Sequence, residues 1–325
     1  MNIMLFILAA ILTVLMLQIR NAQSAEYYVG RTITSRLNTN AYRGWAMMII
    51  MMCHVTGEWA FKPFTPLGGI GVAIFLFLSG FGLNASYKKS GLDKFWQKKL
   101  LRIVLPYALF RIVCVMIQGS SNWERFLLDI CCWESAYWYI DYIVRCYIVF
   151  YVANRFLWKY KGIIFGAFAL YTFFGMGAIR AEQALSFFAG VLCSDYVEKV
   201  NCWSKKKLLA IMVTMGIVGV GCLATKQLPA VRELFNTYYY YAVELGIKLP
   251  LGIAMMVGLY LLPQRIRKSQ LLAFCGAYSL ELYLVHMYVV PRVVDDSWLQ
   301  AIAALIVSGL MAYSFSKATS QFVKF

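Results

Sequence analysis

Long apolar runs separated by short polar segments follow one another along almost the whole chain. A helix needs about 20 largely apolar residues to cross a bilayer, and most of these runs approach that length. The pattern predicts an all-α, polytopic transmembrane helical bundle with ten core spans plus one N-terminal span. The predicted runs are 3–19, 43–59, 67–87, 100–118, 136–154, 162–177, 182–197, 207–225, 238–262, 270–290 and 298–316.

These runs divide the chain into one long membrane domain and short flanking segments. We predict an N-terminal span over 1–20, a basic cytoplasmic linker over 21–42, a ten-span domain over 43–316 and a short cytoplasmic tail over 317–325. No internal repeat interrupts this organisation.

The first run has two interpretations. Ala22, Gln23 and Ser24 resemble the small-residue cleavage site of a signal peptide. However, no Lys or Arg precedes the apolar stretch, and cleavage would leave the basic segment 31–43 outside the cell. We therefore favour an uncleaved span, or signal anchor, with its N-terminus outside.

Composition supports a membrane domain without a soluble appendage. Of the 325 residues, 61% are hydrophobic and only 14% are charged, whereas soluble domains carry about 25% charged residues. The nine cysteines form no C-x-x-C motif. We therefore expect neither a disulfide framework nor a metal site.

Basic residues are distributed unevenly between the two sides of the predicted bundle. Of 31 Lys and Arg residues, 22 fall on one side, six on the other and three within spans. Because cytoplasmic loops collect Lys and Arg, the sequence predicts a multi-pass integral protein of the plasma (inner) membrane with a cytoplasmic C-terminus. The net charge of +16 then reflects topology and not binding to nucleic acid.

Ionisable side chains within the predicted spans are candidates for function, because each costs roughly 2.5–3.5 kcal/mol to insert. Asp141 and Arg145 are four residues apart and share a helix face, as do Glu244 and Lys248. Each pair either neutralises itself or lines a cavity for a charged or sugar substrate. Arg111 needs a partner from elsewhere. The candidates are Glu281 or an anionic group of a substrate.

The chain contains only two histidines, His54 and His286. On straight helices, His54 lies about 16 Å beyond Arg43, and His286 lies sixteen residues after Gln270, so both reach the outer half of the membrane. Two histidines at similar depth favour a general base, whereas a single one often serves only helix packing. Glu58 either orients His54 or is a solvated loop acid.

Four motifs, in order, resemble those of a known family. Arg43-Gly44 begins the span containing His54, and the others are GVAIFLFLSGF at 71–81, FWQKKLLRIVLP at 95–106 and YSLELYLVH at 278–286. This combination resembles the acyltransferase type 3 family of integral membrane O-acyltransferases over about 43–316.

The resemblance implies transfer of an acyl group, commonly acetyl from acetyl-CoA, to a hydroxyl of a carbohydrate or glycolipid acceptor in the envelope. It assigns His54 as the catalytic base and Arg43 as a functional residue. The phosphate-binding R-x-x-R motif of the family reads Lys99 to Arg102 here, and Lys lacks the bidentate fork of Arg.

The remaining candidate residues are assigned to the donor or to the substrate. The Ser79 hydroxyl bonds a backbone carbonyl or lines the donor path. The alternative is that Ser79 carries the acyl group, a role that would require an adjacent base. Asp141, Arg145, Glu281 and His286 are candidate substrate-binding residues. The expected partners are acyl-CoA, the acceptor and membrane lipid, and an oligomer is compatible with the sequence.

A different class of function is also compatible with the pattern. Polar residues at mid-membrane suit a transporter or flippase for a lipid-linked sugar or a small anion. A polymerase or ligase of envelope glycans would need a larger outer loop than the one at 119–135. In that loop, Trp123 and Trp133 beside acidic residues either hold a sugar or mark the membrane boundary.

Overall fold

The computed structural model of the protein describes residues 32–57, 59, 64–119, 122–294 and 297–320. Within these ranges all regular structure is helical, which confirms the predicted all-α fold. The main helices are α1 Arg36–Val55, α2 Thr65–Ser90, α3 Phe95–Gln118, α4 Trp123–Ile130, α5 Trp138–Phe156, α6 Lys161–Gly175, α7 Ser186–Asp195, α8 Lys205–Lys226, α9 Tyr238–Leu261, α10 Gln270–Ala277, α11 Ser279–Val293 and α12 Trp298–Ser320.

Five of these helices, α2, α3, α8, α9 and α12, are long and apolar enough to cross a bilayer, and the bent pair α10–α11 brings the number to six. The chain is therefore a multi-pass membrane protein. Helix α5 is 19 residues long but carries Asp141, Arg145 and Arg155, and α7 has only 10 residues. The count of ten core spans remains a prediction, and the predicted span over 1–20 lies outside the described residues.

Exposed apolar side chains show which helices would face lipid. Leu209, Val213, Ile217 and Val220 of α8 are all exposed, and α8 packs mainly against α9. An apolar surface of this kind marks contact with a membrane or another protein. The lipid-facing side of the bundle therefore includes α8.

Helix α1 lies at the centre of the bundle, in contact with α2, α10 and α11. It begins at Arg36 because the Ser35 hydroxyl accepts a hydrogen bond from the Asn38 N–H, a typical N-cap. The helix thus begins before the predicted span start at Arg43. Helix α12 continues past Lys317 to Ser320, and the domain and tail boundaries stay predictions.

Helices α2 and α7 cross with their backbones in contact. A Cβ atom added to Gly80 would lie 2.0 Å from the Phe187 oxygen, and one added to Gly190 would lie 1.9 Å from the Phe77 oxygen. Small residues allow such an approach between membrane helices. The crossing places the segment around Ser79 firmly in the core.

We expect Gly190→Ala to destabilise the protein by about 1–3 kcal/mol, because the added methyl group would force α2 and α7 apart. The measurement is the thermal midpoint in detergent. Gly216→Ala on α8 is the matched control, since an added Cβ there meets nothing within 4 Å. Equal midpoints for the two variants would contradict the close crossing.

The predicted run 270–290 is not one straight helix. Helices α10 and α11 meet at Tyr278 with a bend of 84°. A Cβ atom on Gly276 would lie 2.2 Å from the Asn40 oxygen, so α10 is pressed against α1 immediately before the bend. The depth of His286 therefore does not follow from counting residues along a straight helix.

Candidate functional site

The structure brings the two histidines into direct contact. His54 lies near the end of α1 and His286 lies on α11, and the His54 Nδ1 atom is 2.9 Å from the His286 Nε2 atom. His286 is completely buried, whereas His54 is partly accessible. Of this pair, only His54 is therefore positioned to meet a substrate.

The hydrogen bonds assign the protons of both imidazole rings. The His286 Nδ1 atom lies 2.7 Å from the Leu282 oxygen, which can only accept, so Nδ1 carries a proton. In a neutral His286, Nε2 is then the acceptor, and His54 Nδ1–H donates to it. The His54 Nε2 atom retains its lone pair and has no hydrogen-bond partner among the described residues.

His286 thus occupies an orienting position. It fixes one tautomer of His54 and leaves the other ring nitrogen available as a base. Glu58, the predicted orienting carboxylate, lies outside the described residues, and its role remains a prediction.

A column of three tyrosines leads from the histidine pair along the interior. The Tyr283 ring centroid lies 5.8 Å from that of His286 and 5.5 Å from that of Tyr139. Tyr147 follows two helical turns further along α5. We call Tyr283, Tyr139 and Tyr147 the tyrosine column.

Three predicted functional residues gather around this column. Ser79 lies near the Tyr139 and Tyr147 side chains, and the Arg43 guanidinium lies near the same two tyrosines. The Lys99 Nζ atom lies 4.5 Å from the centre of the Tyr147 ring. The column therefore links Lys99 and Arg43 with the histidine pair.

No described carboxylate neutralises the cations at this end of the column. Within the described ranges, neither Arg43 nor Lys99 forms an ion pair or a hydrogen bond, and Arg102 is exposed and likewise unpaired. By contrast, Lys88 is held by Asp195 at 3.1 Å. The unpaired cations therefore form a group suited to an anionic ligand.

Lys99 and Arg102 lie at a local distortion of helix α3. Pro106 has no N–H to donate to the Arg102 carbonyl, and the helix widens into a π-turn over Leu100–Val104. In this turn the Leu105 N–H donates to the Leu100 oxygen, five residues back. Such π-turns often occur at functional sites.

The predicted pairing of Asp141 with Arg145 is wrong. Asp141 instead pairs with Arg180 at 2.7 Å, while Arg145 donates to the Trp133 oxygen and lies over the Trp133 ring at 4.8 Å. The i, i+4 spacing allowed a contact on one helix, but a neighbouring segment supplies a better-placed guanidinium. Arg180 was assigned to an outer loop and was missed as a partner.

The suggested pairing of Arg111 with Glu281 is also wrong. The Arg111 Nε atom lies 2.7 Å from Asp129, and the Tyr107 hydroxyl donates to the same carboxylate. Glu281 lies instead near Ser316 of α12. The spacing of residues did not predict the Asp129 contact, because Arg111 and Asp129 lie on two different helices, α3 and α4.

The predicted contact between Glu244 and Lys248 is present at 3.3 Å, within a larger network. Lys226 also contacts Glu244, and Glu182 contacts Lys248. The four side chains come from α8, α9 and the segment before α7, and their formal charges cancel. Of the two interpretations of the Glu244–Lys248 pair, the structure therefore favours mutual neutralisation over the lining of a substrate cavity.

The tyrosine column is the part of the site that sequence reasoning missed. The chain contains 22 tyrosines, and the spacing of Tyr139 and Tyr147 does not distinguish them from packing residues. Only Tyr283 falls within a motif, beside His286.

Comparison with known proteins adds one finding. The acyltransferase type 3 family, described as an acyltransferase domain, matches residues 36–317. No curated protein and no solved structure matches the chain. With the histidine pair and the unpaired cations lying inside a match over most of its length, the chain belongs to the acyltransferase type 3 family.

Proposed function

We propose that this protein transfers an acyl group, acetyl being the expected one, from cytosolic acyl-CoA to a hydroxyl of an extracytoplasmic glycan or other envelope component. The observation that carries the proposal is the contact between His54 and His286. It leaves the Nε2 atom of the partly accessible His54 unprotonated and without a partner among the described residues. A positioned imidazole of this kind suits abstraction of a proton from a hydroxyl.

In the proposed reaction the His54 Nε2 atom takes the proton of the acceptor hydroxyl. The hydroxyl oxygen attacks the carbonyl carbon of the thioester, a C–O bond forms and the C–S bond breaks. The departing CoA thiolate takes the proton from His54, which restores the neutral imidazole. His286 holds the ring of His54 and stabilises its positive charge while the proton resides there.

Arg43, Lys99 and Arg102 are suited to the phosphate groups of the donor. Phosphate oxygens accept charge-assisted hydrogen bonds from such cations, and none of the three is neutralised by a described carboxylate. Arg43 and His54 are eleven residues apart on α1, or about 16 Å. The acyl end of a donor held at Arg43 would follow the tyrosine column towards His54, and Ser79 would line that path.

The charge distribution supports an orientation in the plasma membrane. Basic residues cluster at the end of the bundle where α1 begins, including Lys88, Lys99 and Lys205. By the positive-inside rule this end is cytoplasmic. The His54 end then faces the exported acceptor, the C-terminus lies in the cytoplasm, and α1, α5, α6 and α7 contribute to a ten-span core.

The experiment that tests the proposal measures transfer of label from radiolabelled acetyl-CoA to envelope glycan in membranes with and without this protein. We expect label in the glycan only when the protein is present. With good expression, equal label in both membranes rejects acetyl transfer. The assay is then repeated with longer acyl-CoA donors, and their failure would favour the transporter or flippase.

We expect Lys99→Ala and Arg102→Ala each to raise KM for acyl-CoA about 10-fold, because each removes about one charge-assisted hydrogen bond to a phosphate. The measurement is transfer rate against donor concentration. Lys89→Ala is the matched control, since Lys89 is exposed in the same basic region. An unchanged KM in both variants would place the donor elsewhere.

We expect His286→Gln to lower kcat about 10- to 100-fold, as for other groups that orient a catalytic or metal-binding histidine. KM for acyl-CoA should remain near the wild-type value, because His286 is buried away from the cations. Met287→Leu on the same helix is the control. A rise in KM without a change in kcat would contradict the positioning role.

A further inference from the structure

A large polar cleft opens at the end of the bundle where α1 terminates, outside the site described above. It has a volume of about 1000 Å³ and is lined by α3, α4, α5, the end of α6, and the neighbouring segments that carry Trp133 and Arg180. This volume is at the upper limit of the roughly 300–1,000 Å³ typical of ligand sites. The lining includes four arginines, namely Arg111, Arg125, Arg145 and Arg180.

The two ion pairs in the cleft are arranged asymmetrically. The Asp141 side chain is 2% exposed and that of its partner Arg180 is 22% exposed, while Asp129 is 8% exposed and Arg111 20%. In both pairs the carboxylate is the buried member and the guanidinium is the accessible one. Glu134 also lines the cleft and is exposed, so the accessible charges are those of the four arginines and one carboxylate.

Arg145 adds a cation without an acidic partner. Its Nη2 atom donates to the Trp133 oxygen, and its buried Nε atom has no hydrogen-bond partner within the described residues. Buried polar atoms normally have a partner. An oxyanion in the cleft would supply the negative charge that the Arg145 guanidinium lacks.

Aromatic side chains beside these arginines provide a surface for a sugar ring. Trp133 and Tyr171 line the cleft, and their side chains are 55% and 58% exposed. Tyr137 connects the cleft to the helix that carries His286. The Tyr137 ring is 6.0 Å from Arg111, and its hydroxyl donates to the Leu284 oxygen, two residues before His286.

We propose that this arginine cleft binds an acidic carbohydrate, a sugar bearing a phosphate or carboxylate group, as part of the acceptor. The oxyanion contacts Arg145, with Arg180 and Arg111 at the edges, while a sugar ring lies against Trp133. This inference rests on the proposed acyl transfer for the identity of the ligand as acceptor, but binding itself requires no donor and no catalysis.

The test measures binding to the purified full-length protein in detergent by ligand-induced thermal shift, without acyl-CoA. The probes are N-acetylglucosamine 1-phosphate, glucuronic acid, neutral N-acetylglucosamine and inorganic phosphate. We expect at least one of the two acidic sugars to bind at least about 10-fold more tightly than the neutral sugar and than inorganic phosphate. Arg145→Gln should reduce that preference about 10-fold or more.

Two further variants keep the test decisive. Arg125→Gln, at an exposed position lining the cleft, should weaken acidic-sugar binding even if Arg145→Gln fails to fold. Arg292→Gln is the control, since Arg292 is exposed on α11 but does not line the cleft. His54→Ala should bind the probes normally, so failure of acyl transfer and failure of binding are separable.

Several results would overturn the inference. The first is equal affinity for both acidic sugars and the neutral sugar. The second is an equal affinity for inorganic phosphate. The third is an equal loss of acidic-sugar affinity in Arg125→Gln and Arg292→Gln. The same binding measurement in nanodiscs of anionic phosphatidylglycerol and of zwitterionic phosphatidylcholine tests whether the bound anion is a lipid headgroup and not a sugar. Loss of acidic-sugar binding in phosphatidylglycerol alone would assign the cleft to lipid headgroups.

Discussion

His54→Ala is expected to reduce acyl transfer by about 100- to 10,000-fold, the range typical of losing a general base. The alanine removes the unpaired Nε2 atom of His54, the proposed base, together with the Nδ1 atom that contacts His286. The measurement is label transferred from acetyl-CoA to glycan in membranes containing equal amounts of wild-type and variant protein. The free-energy difference in the barrier would be about 3–5 kcal/mol.

The control for His54→Ala is a variant that leaves the proposed base intact. Met52→Leu, two residues earlier on α1, should retain activity and show that the helix tolerates a conservative change. His54→Ala should also keep its thermal midpoint within a few degrees, because His54 is partly accessible. Activity of His54→Ala close to wild type would exclude His54 as the base.

The second large effect is expected for Lys248→Met. Lys248 contacts both Glu182 and Glu244, and its side chain is 12% exposed. Removing one member of a buried ion pair typically costs about 3–5 kcal/mol, because the remaining charge is left uncompensated. We expect a large fall in the thermal midpoint in detergent and in the yield of folded protein.

The cause of that loss of stability can be tested by also removing the negative charge of Glu182, which Lys248→Met leaves without its partner. Lys248→Met combined with Glu182→Gln should recover a substantial part of the stability, since Glu244 still contacts Lys226. Lys206→Met, at an exposed position on α8, is the control and should change stability by no more than about 0.5 kcal/mol. Full stability of Lys248→Met alone would show that the network is dispensable.

The two variants are expected to fail for different reasons, because His54 and Lys248 have different surroundings in the membrane protein. His54 lies at the end of α1 with one ring nitrogen free, so its loss removes chemistry while the packing remains. Lys248 lies within a neutral cluster that joins three segments, so its loss exposes a buried acid to surroundings of low polarity. The folded fraction and the activity per folded molecule should therefore separate the two roles.

Sequence reasoning was most successful where the relevant property is local. Apolar runs of bilayer length and the order of short motifs are both properties of neighbouring residues. Helical periodicity and hydropathy therefore predicted the all-α membrane fold. The order of the motifs also led to the family, which matches residues 36–317.

Contacts between helices were predicted less well. Asp141 is bound by Arg180 and not by Arg145, and Arg111 is bound by Asp129 and not by Glu281. Spacing on one helix shows which side chains share a face, but it does not show which other helix lies opposite. That depends on the depth, rotation and crossing of helices, which the local sequence does not encode.

The candidate site combines both kinds of information. By itself the sequence identified His54, Arg43, Ser79 and Lys99 as functional candidates. Their motifs and their positions relative to the apolar spans can be read from the order of residues alone. Only the tertiary structure placed His286 against His54, since α11 reaches α1 after the bend at Tyr278. It alone assembled the tyrosine column and the arginine cleft, because their residues are distant in sequence and meet only where packed helices converge.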